Sequence, residues 1–211
     1  MNLEVLVEER SAEQALRTLL PRIVPDIDFE IRVFRWKSDL LKKLPSRLKG
    51  YATRIDQADT YLIVLVDRDD DDCLALKKDM EKMAAAAGLL TAATAPEIRR
   101  ANVINRIAIE ELEAWFFGDI PALCAAYPRI PVSLGKQAKY RNPDAIIGGT
   151  CEALEYVLRK HNYHRGGLPK VAAATAIAQH MSVDVNRSRS FSVFRDGVRR
   201  LVAGGSNAAE G

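Results

Sequence analysis

The sequence predicts an α/β fold: a mainly parallel, four-stranded sheet flanked by helices and followed by a C-terminal helical extension. Three observations carry this reading. The apolar run Tyr61–Val66, rich in β-branched side chains, stops abruptly at Asp67-Arg68-Asp69-Asp70-Asp71-Asp72, and a short, bounded run of that kind is a strand buried on both faces. Short apolar segments alternate with helical ones up to Asp119, which is the pattern of βαβ units. Beyond Asp119 the chain turns helical and basic, with no convincing strand.

In chain order, Leu3, Val5 and Val7 mark Asn2–Glu8 as the first strand. Ser11 and Glu13 open a helix over Ala15–Leu20, which Pro21 and Pro25 end or follow. Phe29–Trp36 alternates as a second strand, and Ser38 or Asp39 caps a helical stretch that Pro45 interrupts or restarts. Tyr61–Asp67 is the third strand. Asp72–Ala87 is a helix closed by Gly88, in the place a left-handed C-cap wants. After Thr91–Arg100, Asn102–Ala108 is the fourth strand and runs into Ile109–Phe117, which is helical in composition. Trp115, Phe116 and Phe117 read as core. Further helices are expected over Pro121–Tyr127, Asp144–Lys160, Lys170–Met181 and Phe191–Val202. The organisation is thus a core over 1–119, a basic helical extension over 120–203 and a tail over 204–211 expected to be disordered.

Composition bounds the function. The 211 residues are 48% hydrophobic and 28% charged, ordinary for a globular protein. No apolar run approaches the roughly 18 residues of a membrane span. Glu4, Glu8 and Glu9 stand where a signal peptide would carry basic residues. Cys73, Cys124 and Cys151 are odd in number and in no CxxC pairing, which argues for a reducing cytoplasm and against zinc or a disulfide framework. No Walker A or GxGxxG motif is present, so nucleotide hydrolysis by this chain is not expected. The net charge of +3 is split: from Pro121 onward 13 Lys+Arg face 6 Asp+Glu, whereas the preceding 120 residues carry 18 against 22. An acidic first part beside a basic second part suggests a metal site next to a phosphate-binding surface.

Parallel strands end on one edge, where open α/β sheets bind their ligands. Acids follow three of them: Glu8 and Glu9; Asp67, Asp69, Asp70 and Asp71; and Glu110, Glu111 and Glu113. Such a concentration of charge calls for a counter-charge, and Mg²⁺ takes a few carboxylates with water and substrate phosphate. Asp67 and Asp69, two apart in an extended segment, are expected to turn toward one ion, and Glu110 and Glu113 to share a helical face. Ions bridged by these acids clamp the attacking and leaving oxygens of a phosphoryl transfer. On the basic side, Lys136, Lys139 and Arg141 precede the Asn142-Pro143 break, while His164, Arg165 and Lys170 flank the Gly166-Gly167 turn. Both groups are candidates to meet phosphates.

Glu8 and the Asp67-Arg68-Asp69 triplet resemble the Toprim pattern of topoisomerases, primases and overcoming-lysogenization-defect nucleases. The glycine that commonly follows the Toprim glutamate is Glu9 here. More closely, the chain resembles the bacterial family known as domain of unknown function 4276. The resemblance runs through Leu6-Val7-Glu8-Glu9-Arg10-Ser11, the stretch from Arg106 to Asp119 that contains Glu113-Ala114-Trp115-Phe116-Phe117-Gly118-Asp119, and Ser190-Phe191-Ser192-Val193-Phe194. It implies a Toprim-like Rossmannoid core and a Mg²⁺- or Mn²⁺-dependent nuclease. In this reading Glu8 is a metal ligand or general base, Asp67 and Asp69 are metal ligands, and Glu113 serves a second ion. Asp71 and Glu110 complete the metal candidates, and Lys170 joins Glu8 as a catalytic candidate. The expected partners are nucleic acid, DNA before RNA, and an ABC-type ATPase, with a role in phage defence. The runner-up is a non-catalytic metal-binding or regulatory module docked on such an ATPase.

Overall fold

The computed structural model describes residues 2–53, 60–96 and 101–206, with side chains to 204. Its sheet is all-parallel, four-stranded and ordered β2-β1-β3-β4. The strands are β1 (Asn2–Val7), β2 (Asp28–Val33), β3 (Thr60–Asp67) and β4 (Val103–Ala108). Side chains of a strand alternate faces, and the two core clusters follow that alternation. Val5, Val7, Ile63, Leu65 and Ile104 point into one cluster; Leu6, Leu62, Val64, Val66 and Val103 point into the other.

The second face is covered by α2 (Lys37–Ala52) and α3 (Cys73–Ala86). Leu40, Leu44 and Leu48, spaced one helical turn apart, pack there with Leu76, Met80 and Ala84. The first face is covered by α1 (Arg10–Ile23) together with the elements between Glu113 and Val202. That layer contains α4 (Glu113–Phe117), α5 (Ile120–Ala126), α6 (Thr150–Lys160), α7 (Lys170–Ala178) and α8 (Arg189–Ser206). Leu123, Leu154, Val157, Ile177, Phe191, Phe194 and Val198 share a continuous cluster with Leu16, Leu19 and the sheet. At the rim, β2 keeps Asp28, Glu30 and Arg32 exposed, charges that discourage edge-to-edge pairing.

The elements predicted from the sequence are found, and their ends differ for physical reasons. Ser11 lies inside α1, its hydroxyl donating to the Glu9 carboxylate, and the helix runs two residues past Pro21. Pro45 sits within an unbroken α2. The missing N–H costs about 3 kcal/mol in a helix interior, and the buried Leu40, Leu44 and Leu48 stripe spanning it offsets that cost. Residues 109–112 are not helical. Glu110 adopts φ +61° while its carbonyl accepts from the Asp69 amide, so Glu110 and Glu113 do not share a helical face. The helix expected over Asp144–Lys160 is divided by Gly148 and Gly149, at φ +87° and +84°. Asp144 falls in a short 3₁₀ turn and α6 begins at Thr150. At the C-terminus α8 carries through to Ser206; 207–211 of the expected tail lie outside the described residues.

Candidate functional site

β1 leads to β2 on one side, whereas the chain continues through β3 to β4 on the other. The order therefore reverses between β1 and β3, and crevices at such switch points, outside the carboxyl ends of the strands, bind ligands in open α/β sheets. Glu8 follows β1 and Asp67 closes β3, so both stand at this point. They are joined there, since the Asp67 amide donates to Glu8 Oε1.

Around this pair the acids separate into two groups. Asp69, at φ +48° and exposed, has left the extended path of β3. Lys37, at the first turn of α2, holds it at 2.6 Å and Asp71 at 2.8 Å while donating to the Asp67 and Arg68 carbonyls. Arg68 is ion-paired with Glu110. Thus Asp69, Asp71 and Glu110, three of the six metal candidates, already have counter-cations supplied by the chain. Lys37 and Arg68 were missed in the sequence, although Lys37 opens a helix at the same sheet edge where the strands end.

In the second group, Glu8, Asp67 and Glu113 form no ion pair among the described residues. Asp67 is 9% exposed and Glu113 1%. Burial, then the charges of Glu8, Glu113, Glu9 and Asp69, push the Asp67 carboxyl well above the usual range. Burial also pushes Glu8 up to about 7 despite the Asp67 amide, and Glu113 up to about 7 despite the charge of Lys170. Glu113 Oε2 is buried with no hydrogen-bond partner among the described residues. Lys170 arrives from the start of α7, 3.6 Å from Glu9 Oε2; burial disfavours its charge, but Glu113 and Glu9 outweigh this and raise its pKa. Lys170, remote in sequence, is thus brought to the acids, as are Glu8, Asp67 and Glu113.

The donor set suits a hard divalent cation: carboxylate oxygens only, mutually repelling, one of them buried and orphaned. As the side chains stand, no three Asp, Glu, His or Cys among the described residues are gathered closely enough to chelate. Glu8 is turned onto the Asp67 amide instead. Cys151 is no rival nucleophile, since burial and the neighbouring Glu113 charge push its thiol up to about 12. Glu111 serves the fold, because its Oε2 accepts from the Cys151 amide and the Thr150 hydroxyl and so closes the first turn of α6.

The remaining candidates are not gathered into one group. Lys136 lies on a cleft of about 550 Å³ with His180 and Arg187, while Arg165 lines another with Tyr156, Arg159 and Lys160. Lys139 sits over the Tyr140 and Tyr156 rings, and Arg141 is exposed. His164 shares a hydrogen bond with the Tyr127 hydroxyl.

The stretch from Glu113 to Asp119 now has a physical account. Glu113 faces the acids. Trp115 is fully buried, donates to the Ser190 hydroxyl and packs on Phe191 and Phe194, with ring centroids 5.2 and 5.1 Å away. Gly118 leaves room for Asn186, whose Oδ1 would lie 1.9 Å from an added Cβ. Asp119 caps α5 through the Ala122 amide and ties it to Ser182. The model of the family described as domain of unknown function (DUF4276) matches residues 7–199. The chain belongs to the DUF4276 family. No curated protein and no solved structure matches it. The DUF4276 match spans both the acids at the sheet edge and the helices that deliver Lys170. No described helix is long and apolar enough to cross a membrane.

Proposed function

We propose that this DUF4276 protein is a Mg²⁺- or Mn²⁺-dependent phosphodiesterase of nuclease type, acting in the cytoplasm. The observation that carries this reading is the convergence of Glu8, Asp67 and Glu113 on the switch point of the sheet, with a Glu113 oxygen buried and, among the described residues, unpartnered. These three would hold the ion, with Glu8 leaving the Asp67 amide to do so. A bound divalent ion supplies Lewis-acid polarisation of a phosphoryl oxygen and a reactive water. The protein's own part is positioning. Lys170 stands beside Glu9 and Glu113, where it can meet a non-bridging phosphate oxygen. Lys37 and Arg68 fix the loops that carry Asp69, Asp71 and Glu110, so those acids frame the crevice.

The Toprim resemblance supports this reading through Glu8 and Asp67, as does the basic balance after Pro121. An ABC-type ATPase partner and a phage-defence role come from the same resemblance. One observation favours a second reading, a non-catalytic metal-binding or regulatory module on such an ATPase: the acids are not preassembled into a chelating group. Nicking of supercoiled DNA by the purified chain with Mn²⁺ decides between them. The nuclease reading expects nicking by the wild type and none by Asp67→Asn; equal cleavage by both, or none by either, refutes it.

A further inference from the structure

The junction between β2 and α2 carries a second feature of the same sheet edge. Residues 34–37 cross it: the Phe34 amide donates to the Val7 carbonyl just before Glu8, and Lys37 reaches the loop after β3. From there an open groove of about 560 Å³ runs along the outer edge of β2, between Arg32–Arg35 and the α2 face formed by Asp39, Lys43 and Arg47. Those three α2 residues are spaced four apart and share one side of the helix, next to the buried Leu40, Leu44 and Leu48 stripe.

The groove is cationic, with four basic residues against one acid. Arg32 is engaged by Glu4 and Glu30, and Lys43 by Asp39. Arg35 and Arg47 are exposed, and neither side chain has a hydrogen-bond or ion-pair partner among the described residues. Trp36, next in the chain to Arg35 of the groove lining, is 66% exposed, its backbone extended where it caps α2. The chain's other tryptophan, Trp115, is fully buried. An uncovered indole beside unpaired guanidinium groups is the combination that grips single-stranded nucleic acid: bases stack on the ring and phosphates lie against the cations. A duplex offers no free base face, so the indole selects for unpaired strands.

We propose that this groove seats a single-stranded nucleic-acid segment, with Trp36 stacking on a base and Arg35 and Arg47 on its phosphates, and leads the strand to Glu8 and Asp67. The proposal rests on the nuclease reading for where the strand leads, but strand binding itself needs no metal.

The test uses the full chain in EDTA with oligothymidylate of about 12 nucleotides, within the span one such site covers. Intrinsic fluorescence reads Trp36 directly, since buried Trp115 is shielded. The expected result is partial quenching on binding. Trp36→Phe should abolish the quenching, and Trp36→Ala should weaken affinity about tenfold, within the range for one lost stack. Arg35→Gln with Arg47→Gln should lower affinity and flatten the salt slope by about 1.4, the share of two single-strand phosphate contacts. All these variants should keep the wild-type melting temperature and the wild-type response to Mn²⁺. Binding without quenching, undiminished binding by the Arg35/Arg47 variant, or loss only with Lys136→Glu and Lys139→Glu would overturn the proposal. So would equal affinity for duplex and single strand, or capture of a protein partner with no oligonucleotide bound. A Mn²⁺ response without strand binding defeats this groove alone; strand binding without a Mn²⁺ response defeats the metal-dependent reading instead.

Discussion

Asp67 is the residue on which the site turns, because it is a buried carboxyl closing β3 among four acids that repel it. Without metal, Asp67→Asn removes a charge while keeping the shape, so the variant should melt no lower than the wild type and gain nothing from Mn²⁺. A scanning-calorimetry comparison with and without Mn²⁺ checks both halves. Gly118→Ala is the opposite case, chemically mild and sterically severe. Its Cβ would meet Asn186 Oδ1 at 1.9 Å and the Ser188 amide at 2.8 Å. Overpacking of this kind costs about 1–3 kcal/mol, and a chain of this size loses roughly 2–4 °C of melting temperature per kcal/mol. A drop of several degrees with the metal response kept is the expected outcome. The acids at the sheet edge were legible as residues, since strand ends can be read from apolar runs. Which of them Lys37 and Arg68 neutralise was not, because those pairs join different loops.

At the scale of elements, the strands and their faces were readable from periodicity, as were the starts of α5, α7 and α8 to within two residues, whereas the start of α6 was read six residues early. What sequence patterns could not show is how two of these helices are capped. Sequence patterns look for a cap within three residues of the helix it serves, yet α6 is capped by Glu111 and α8 by Asp144, from about 40 residues upstream. The Asp144 carboxylate accepts from the Arg189 and Ser190 amides and from the Ser188 and Ser190 hydroxyls. Asp144→Ala leaves those donors unpaired beside the helix terminus. Loss of a cap costs about 0.5–2 kcal/mol, and the extra charged hydrogen bonds place this one near the top of that range. Chemical denaturation of the variant should show that loss with an unchanged m-value. Full stability would mean that α8 does not depend on this cap.

At the scale of the whole molecule, the sheet gathers its unfavourable charge on one edge, and stability should depend on pH accordingly. Glu8 and Glu113 are raised from an ordinary 4.5 to about 7 in the folded chain. The folded state therefore holds protons that the unfolded state has released. The associated stability is present below pH 4.5 and is lost as pH rises to about 7. For these two groups the metal-free chain should lose stability across that window, whereas Glu113→Gln should flatten the decline. A divalent ion competes with those protons, so Mn²⁺ should stabilise the chain more at pH 8 than at pH 5.5. Melting curves across that range, with and without Mn²⁺, check the sign.

The most direct test of the central claim is a calorimetric titration of Mn²⁺ into the wild-type chain beside Asp67→Ala. The account predicts saturable binding to the wild type, with an observed heat that varies linearly with the buffer's ionisation enthalpy because protons are released, and no binding to the variant. No heat of binding to the wild type, or the same isotherm for both proteins, would contradict it.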